Sequence, residues 1–170
     1  MHDNIEQIAI HEAGHALAHI LTDLPFSIVT IEPKQLAIHT DGNSLGYIQP
    51  INPPTGEDID SYSKLSPDEF FQCFCEDMTV ISGYVAQRVL TKKFDKTGSK
   101  TDIKVLYSNS MMNHPEPFRS KYRDFLIAYT FMLFQMNRNK RLIKKIADEL
   151  LRHKTLGYDQ VMKIVEEMYL

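Results

Sequence analysis

The sequence predicts an α+β, mostly helical fold: a small antiparallel sheet beside an N-terminal helix, followed by a helical bundle tail. Three observations predict it. Apolar residues recur at helical spacing between Ile5 and Leu21. β-Branched residues crowd together at Ile28, Val29, Thr30 and Ile31, ahead of an Asp41-Gly42-Asn43-Ser44 turn. From Phe118 onward, helical patterns fill the chain to its end.

The first helix is read from Ile5, Ile8, Ala9, Ala16, Leu17, Ile20 and Leu21. Asp3 or Asn4 can cap its start, and Pro25 forbids continuation much beyond Leu24. Phe26 to Glu32 reads as a strand and Leu36 to His39 as a second. Leu45 to Gln49 is a strand returning from the turn. Pro50, Pro53, Pro54 and Gly56 then make a loop running to about Lys64.

Ser66-Pro67-Asp68-Glu69 starts the next helix: a cap, a proline at the first position, then acids at the positive end of the dipole. This helix runs to about Leu90, with Phe70, Phe74, Val80, Ile81, Val85 and Val89 as its inward face. Thr91 to Lys100 is read as a loop. A further helix starts near Thr101 and ends before Asn113 and Pro115. The tail holds an apolar helix to about Met136, a second from Asn137 to His153, and a last one from Tyr158, set off by Gly157. Phe125 to Met136 reads as a buried helix, well short of the ~20 residues a membrane span needs. Neither internal repeats nor low-complexity segments occur.

The length of 170 residues suits one domain, 1–170, divided into a core over 1–112 and a helical tail over 113–170. A hydrophobic content of 43% supports a core. The net charge of −3, from 22 acidic and 19 basic residues, argues against a nucleic-acid surface. Arg138, Lys140, Arg141, Lys144 and Lys145 read as a solvated helix face. The polar N-terminus does not read as a signal peptide. Cys73 and Cys75, two apart in a predicted helix, point to different faces and read as free thiols of a cytoplasmic protein.

The chemistry lies in His11-Glu12-Ala13-Gly14-His15, a His-Glu-x-x-His pattern within the first helix. Residues four apart share one helix face, so His11 and His15 can aim both imidazoles at one metal ion. Glu12 can reach a metal-bound water and take its proton. That is the signature of a zinc metallopeptidase, with one Zn²⁺ per chain. A mid-helix glycine costs about 1 kcal/mol against alanine. Gly14 is therefore expected where another backbone, such as a substrate strand, comes close.

A catalytic zinc usually has three protein ligands and one open position. The longer pattern His-Glu-x-x-His-x-x-Gly-x-x-His is excluded by Ala18 and Leu21. His19 continues the four-residue spacing, but it has turned about 80° from His11 and moved more than about 10 Å along the axis. It reads as an ordinary or supporting helix residue. Glu76, with Asp77 as a weaker option, and Asp102 remain candidates. Spacing does not choose between them, and an aspartate in a first helical turn also suits capping and the dipole.

The chain resembles the peptidase domain of the FtsH-type ATP-dependent zinc metalloproteases. His11 to Leu17 resembles that family's active-site helix. Ser27-Ile28-Val29-Thr30-Ile31-Glu32-Pro33 with Leu45-Gly46-Tyr47 resembles its strand and hairpin. Thr97-Gly98-Ser99-Lys100-Thr101-Asp102-Ile103 resembles the segment whose aspartate is the family's third zinc ligand. Asn139-Lys140 through Leu150-Leu151, then Thr155-Leu156, resembles its end. The resemblance implies His11, His15 and Asp102 as ligands and Glu12 as the catalytic base. Ser82-Gly83-Tyr84-Val85-Ala86-Gln87 stands where the family usually has Gly-Gly-Arg-Ala-Ala-Glu, and 113–121 departs from its pattern. No phosphate-loop sequence occurs in the chain, and the family's ATPase module and membrane anchor are not expected here.

The resulting expectation is an ATP-independent zinc endopeptidase acting on unfolded or flexible polypeptides. The rival expectations are a non-catalytic regulatory module that keeps the fold, and a peptidase subunit fed by a separate ATPase. A homo-oligomer is the assembly the family prompts. The strand over Leu45 to Gln49 is a candidate for holding substrate by strand addition.

Overall fold

The computed structural model describes residues 2–32, 46–51, 66–92, 96–109 and 115–168. Among these, the order is α1 (His2–Leu21), β1 (Phe26–Thr30), β2 (Tyr47–Pro50), α2 (Pro67–Thr91), α3 (Lys96–Asn109), α4 (Phe118–Gln135), α5 (Asn137–His153), β3 (Thr155–Gly157) and α6 (Tyr158–Glu167). The fold is α+β and mostly helical, with one three-stranded antiparallel sheet in the order β2-β1-β3. The expected strand over Leu36 to His39 and the turn over 41–44 lie outside the described residues.

Helix α1 is the centre of the molecule. It packs against α2 and α5, and every residue from Ala9 to His19 is buried. Ala9, Ala13, Ala16 and Ala18 are small, so neighbouring elements come close on several faces. At Gly14 an added Cβ would lie 2.7 Å from Ser82 O and 3.2 Å from Gly83 Cα. The backbone that requires this glycine is thus that of α2, not a substrate strand. Leu17, fully buried, contributes about 2 kcal/mol of transfer free energy at this junction. The helix ends as Leu24 N–H donates to His19 O and Asp23 takes a left-handed φ of 55°.

Strand β1 is central. It pairs with β2 through Val29↔Ile48 and Thr30↔Tyr47, and with β3 through Val29↔Leu156 and Thr30↔Thr155. Thr30 Oγ1 and Thr155 Oγ1 are 2.6 Å apart, which fixes that register. Strand β3, between α5 and α6, was not expected from the sequence. Three residues are too few to show a period of two, so only its partner reveals it.

Helix α2 begins as the capping residues predict. Ser66 N–H donates to Glu69 Oε2 at 2.8 Å, and Glu69 N–H donates to Ser66 Oγ at 3.3 Å. Its inward face differs in part from expectation: Ile81 and Val85 are buried, whereas Phe70 is exposed. The stretch from Phe125 to Met136 is not uniformly buried either. Leu126, Thr130 and Phe134, four apart, face the core, while Phe125, Met132 and Met136 face outward. Helix α3 begins at Lys96, so 97–99 are helical rather than loop and Asp102 stands in the second turn. The cap-and-dipole argument for Asp102 therefore does not apply. Among the described residues no helix is long and apolar enough to cross a membrane. Cys73 and Cys75 are free, half-buried and buried respectively.

Candidate metal centre

His11 and His15 leave the buried middle of α1 on the face that meets α2 and α3. Their Nε2 atoms are 3.0 Å apart. Asp102 arrives from α3, with Oδ2 3.3 Å from His11 Nε2 and 3.8 Å from His15 Nε2. The donor atoms of these three residues all lie within 4.8 Å of one another, and the group can hold a metal ion. Tetrahedral ligands at 2.0–2.1 Å from zinc stand about 3.3 Å from each other. The observed separations need only small shifts to meet that spacing.

Two further observations fit a cation. Asp102 Oδ2 is buried and has no hydrogen-bond partner. Gly83 of α2 backs onto the ligand nitrogens: a Cβ there would lie 2.5 Å from His15 Nε2 and 2.6 Å from His11 Nε2. The missing side chain leaves a cradle beside the donors.

The outer contacts orient the rings. His15 Nδ1 lies 2.7 Å from Thr79 O. A carbonyl only accepts, so Nδ1 carries the proton and Nε2 keeps its lone pair for the metal. Ser82 Oγ lies 3.3 Å from the same Nδ1 and donates to Thr79 O at 2.6 Å. Gln87 Nε2 donates to Gln7 O at 3.0 Å, which leaves the Gln87 carbonyl oxygen without a bond of its own. His11 Nδ1 is likewise buried without a hydrogen-bond partner.

Burial alone would lower His11, but Asp102, then Glu12 and Gln87, outweigh it and raise the imidazole to about 9. Burial lowers His15 to about 4, with Asp102 opposing and His11 reinforcing the shift. The metal-free centre thus favours a proton on His11, beside Asp102, over one on His15. Burial raises Glu12 to about 7, with the His11 charge opposing and Asp102 adding to the rise. Glu12 is only 4% exposed. It lies beneath Gly46, just ahead of β2, where any Cβ would overlap the Glu12 side chain.

Of the residues singled out in the sequence, His11, Glu12, His15 and Asp102 are brought together. His19 is not among them: its Nδ1 bonds Leu24 O at 2.9 Å at the end of α1, and its ring meets Phe26. Glu76 accepts from Gln72 at 3.2 Å on α2, and Asp77 accepts from Tyr122 Oη at 3.0 Å in the core. Sequence reasoning did not assign roles to Thr79, Gly83, Gln87 or Gly46. The only signal for Gly83 and Gln87 was their place in the segment compared with Gly-Gly-Arg-Ala-Ala-Glu.

Neither a protein-family model nor a curated protein matches the chain.

Proposed function

We propose that this chain is a zinc-dependent endopeptidase of the FtsH type, hydrolysing peptide bonds of unfolded or flexible polypeptides without ATP. The observation that carries the reading is the convergence of His11, His15 and Asp102 donors within 4.8 Å beside the buried Glu12. His11, His15 and Asp102 would hold the ion, leaving one position for water or substrate. When bound, zinc supplies an acidified water and polarises the scissile carbonyl.

The chain's own residues do the rest. Glu12, which burial raises to about 7 in the metal-free centre, would accept a proton at its carboxylate and return it to the leaving nitrogen. Thr79 O fixes the orientation of the His15 imidazole, so that side chain needs little reorganisation to take a metal. Among the described residues β2 is an edge strand lying against α1. Its outer side suits an extended substrate backbone. The free thiols of Cys73 and Cys75 suit a reducing compartment, the cytoplasm.

The burial of Glu12 under Gly46 favours one alternative, a metal-holding regulatory module that does not turn over. Zinc analysis combined with casein cleavage separates the two. Zinc-loaded chain that cuts casein supports the peptidase, and zinc-loaded chain that does not supports the module or an ATPase-dependent subunit.

A further inference from the structure

A cavity of about 590 Å³ lies between α2, α3 and α4, outside the metal centre. Its lining joins Tyr84 and Arg88 of α2 to Ile103 of α3 and to Arg123, Asp124, Ile127 and Phe131 of α4. The volume is in the range of about 300–1,000 Å³ in which small ligands bind. The two arginines differ. Arg123 is engaged, donating to Asp124 Oδ1 at 2.8 and 3.0 Å and to Tyr107 Oη at 2.9 Å. Arg88, at an exposed position of α2, rests over the Phe131 ring, 5.4 Å from its centroid, and makes no ion pair with another described residue.

A guanidinium with no carboxylate on it among the described residues, above an apolar floor, suits a ligand that is both anionic and apolar. Arginine's planar fork matches a carboxylate bidentately. Inorganic phosphate offers nothing to Ile103, Ile127 or Phe131. An aspartate or glutamate side chain brings a carboxylate on a short stem with no apolar group beside it. A polypeptide C-terminus carries its carboxylate and its last side chain on one Cα.

We propose that this cavity binds the C-terminal residue of a polypeptide, its free carboxylate on Arg88 and an apolar side chain against Ile103, Ile127 and Phe131. The cavity also adjoins the metal centre in sequence: Tyr84 follows Gly83, and Ile103 follows Asp102. A bound terminus therefore rests on the helix that presents Asp102. The proposal goes beyond the peptidase reading and does not require turnover.

The test titrates zinc-free full-length chain with N-acetyl-leucine and, separately, N-acetyl-leucinamide. Zinc is omitted so that the carboxylate cannot ligate it. The acid is expected to bind at least about tenfold tighter than the amide, the usual scale for a hydrogen bond to a charged group. Arg88→Gln should abolish that preference, and Arg88→Lys should keep part of it. Ala128→Phe, which fills the cavity from an exposed position on α4, should weaken the acid by a similar factor. Circular dichroism confirms that the variants keep their helices. Equal binding of acid and amide, no binding of either, or wild-type affinity in Arg88→Gln or Ala128→Phe overturns the proposal. None of these outcomes bears on whether the metal centre hydrolyses peptides.

Discussion

Gly83 stands directly behind His15: a β-carbon on Gly83 would come 2.5 Å from the His15 Nε2 that faces the metal position. Gly83→Ala should therefore keep the helix, which gains up to about 1 kcal/mol of propensity. It should nevertheless lose zinc, because the methyl group intrudes on both ligand nitrogens. Zinc stoichiometry and thermal unfolding, measured together, check this. Full zinc in a folded variant would contradict the cradle.

Glu12→Gln removes the proton acceptor and keeps the shape. Hydrolysis of a flexible polypeptide should fall by at least about a hundredfold, within the range for general acid–base groups. Zinc content should stay near one per chain. Loss of zinc in proportion to activity would assign Glu12 a structural role instead.

Asp102→Ala should weaken zinc binding at least about 100-fold, more than outer contacts usually contribute. Glu76→Ala should leave zinc in place, because Glu76 bonds Gln72 on α2 and is not part of the donor group. Competition with a chromophoric chelator measures both variants. The reverse pattern would overturn the ligand assignment.

Zinc affinity should rise with pH. His11, at about 9 in the metal-free centre, is charged at neutral pH and must lose its proton to become a ligand. Below its pKa the apparent affinity should climb about tenfold per pH unit and flatten near pH 9. His15, lowered to about 4, is already neutral and adds nothing to that slope. Calorimetry at pH 7.5 in buffers of different ionisation enthalpy should show release of at least about one proton, that of His11. No proton release would mean that His11 is neutral before zinc arrives.

Much of this architecture was legible because it is local. The capping box at Ser66 and Glu69, the break at Gly157 and the four-residue spacing of His11 and His15 each depend on neighbours in sequence. Their physics is that of single turns. The third candidate ligand was not local. Glu76 and Asp102 were equal by spacing, and only the packing of α3 brings Asp102 Oδ2 to 3.3 Å from His11. The roles of Gly83 and Gly46 were hidden for the same reason, since each is defined by what a β-carbon would meet across the fold. Strand β3 exists because β1 pairs with it. The exposed faces of Phe70 and Phe125 show the limit of composition: apolar residues mark what can be buried, and the neighbours decide what is.

The central claim is that His11, His15, Asp102 and Glu12 form a working peptidase centre. Cleavage of casein by the full-length chain, loaded with one zinc, tests it most directly. A stable globular protein serves as the control, because global unfolding costs about 5–15 kcal/mol and the chain has no phosphate loop with which to drive it. The account predicts that casein is cut, that ATP makes no difference, that a chelator stops the reaction, and that the folded control survives. Intact casein after incubation with fully zinc-loaded chain would contradict it.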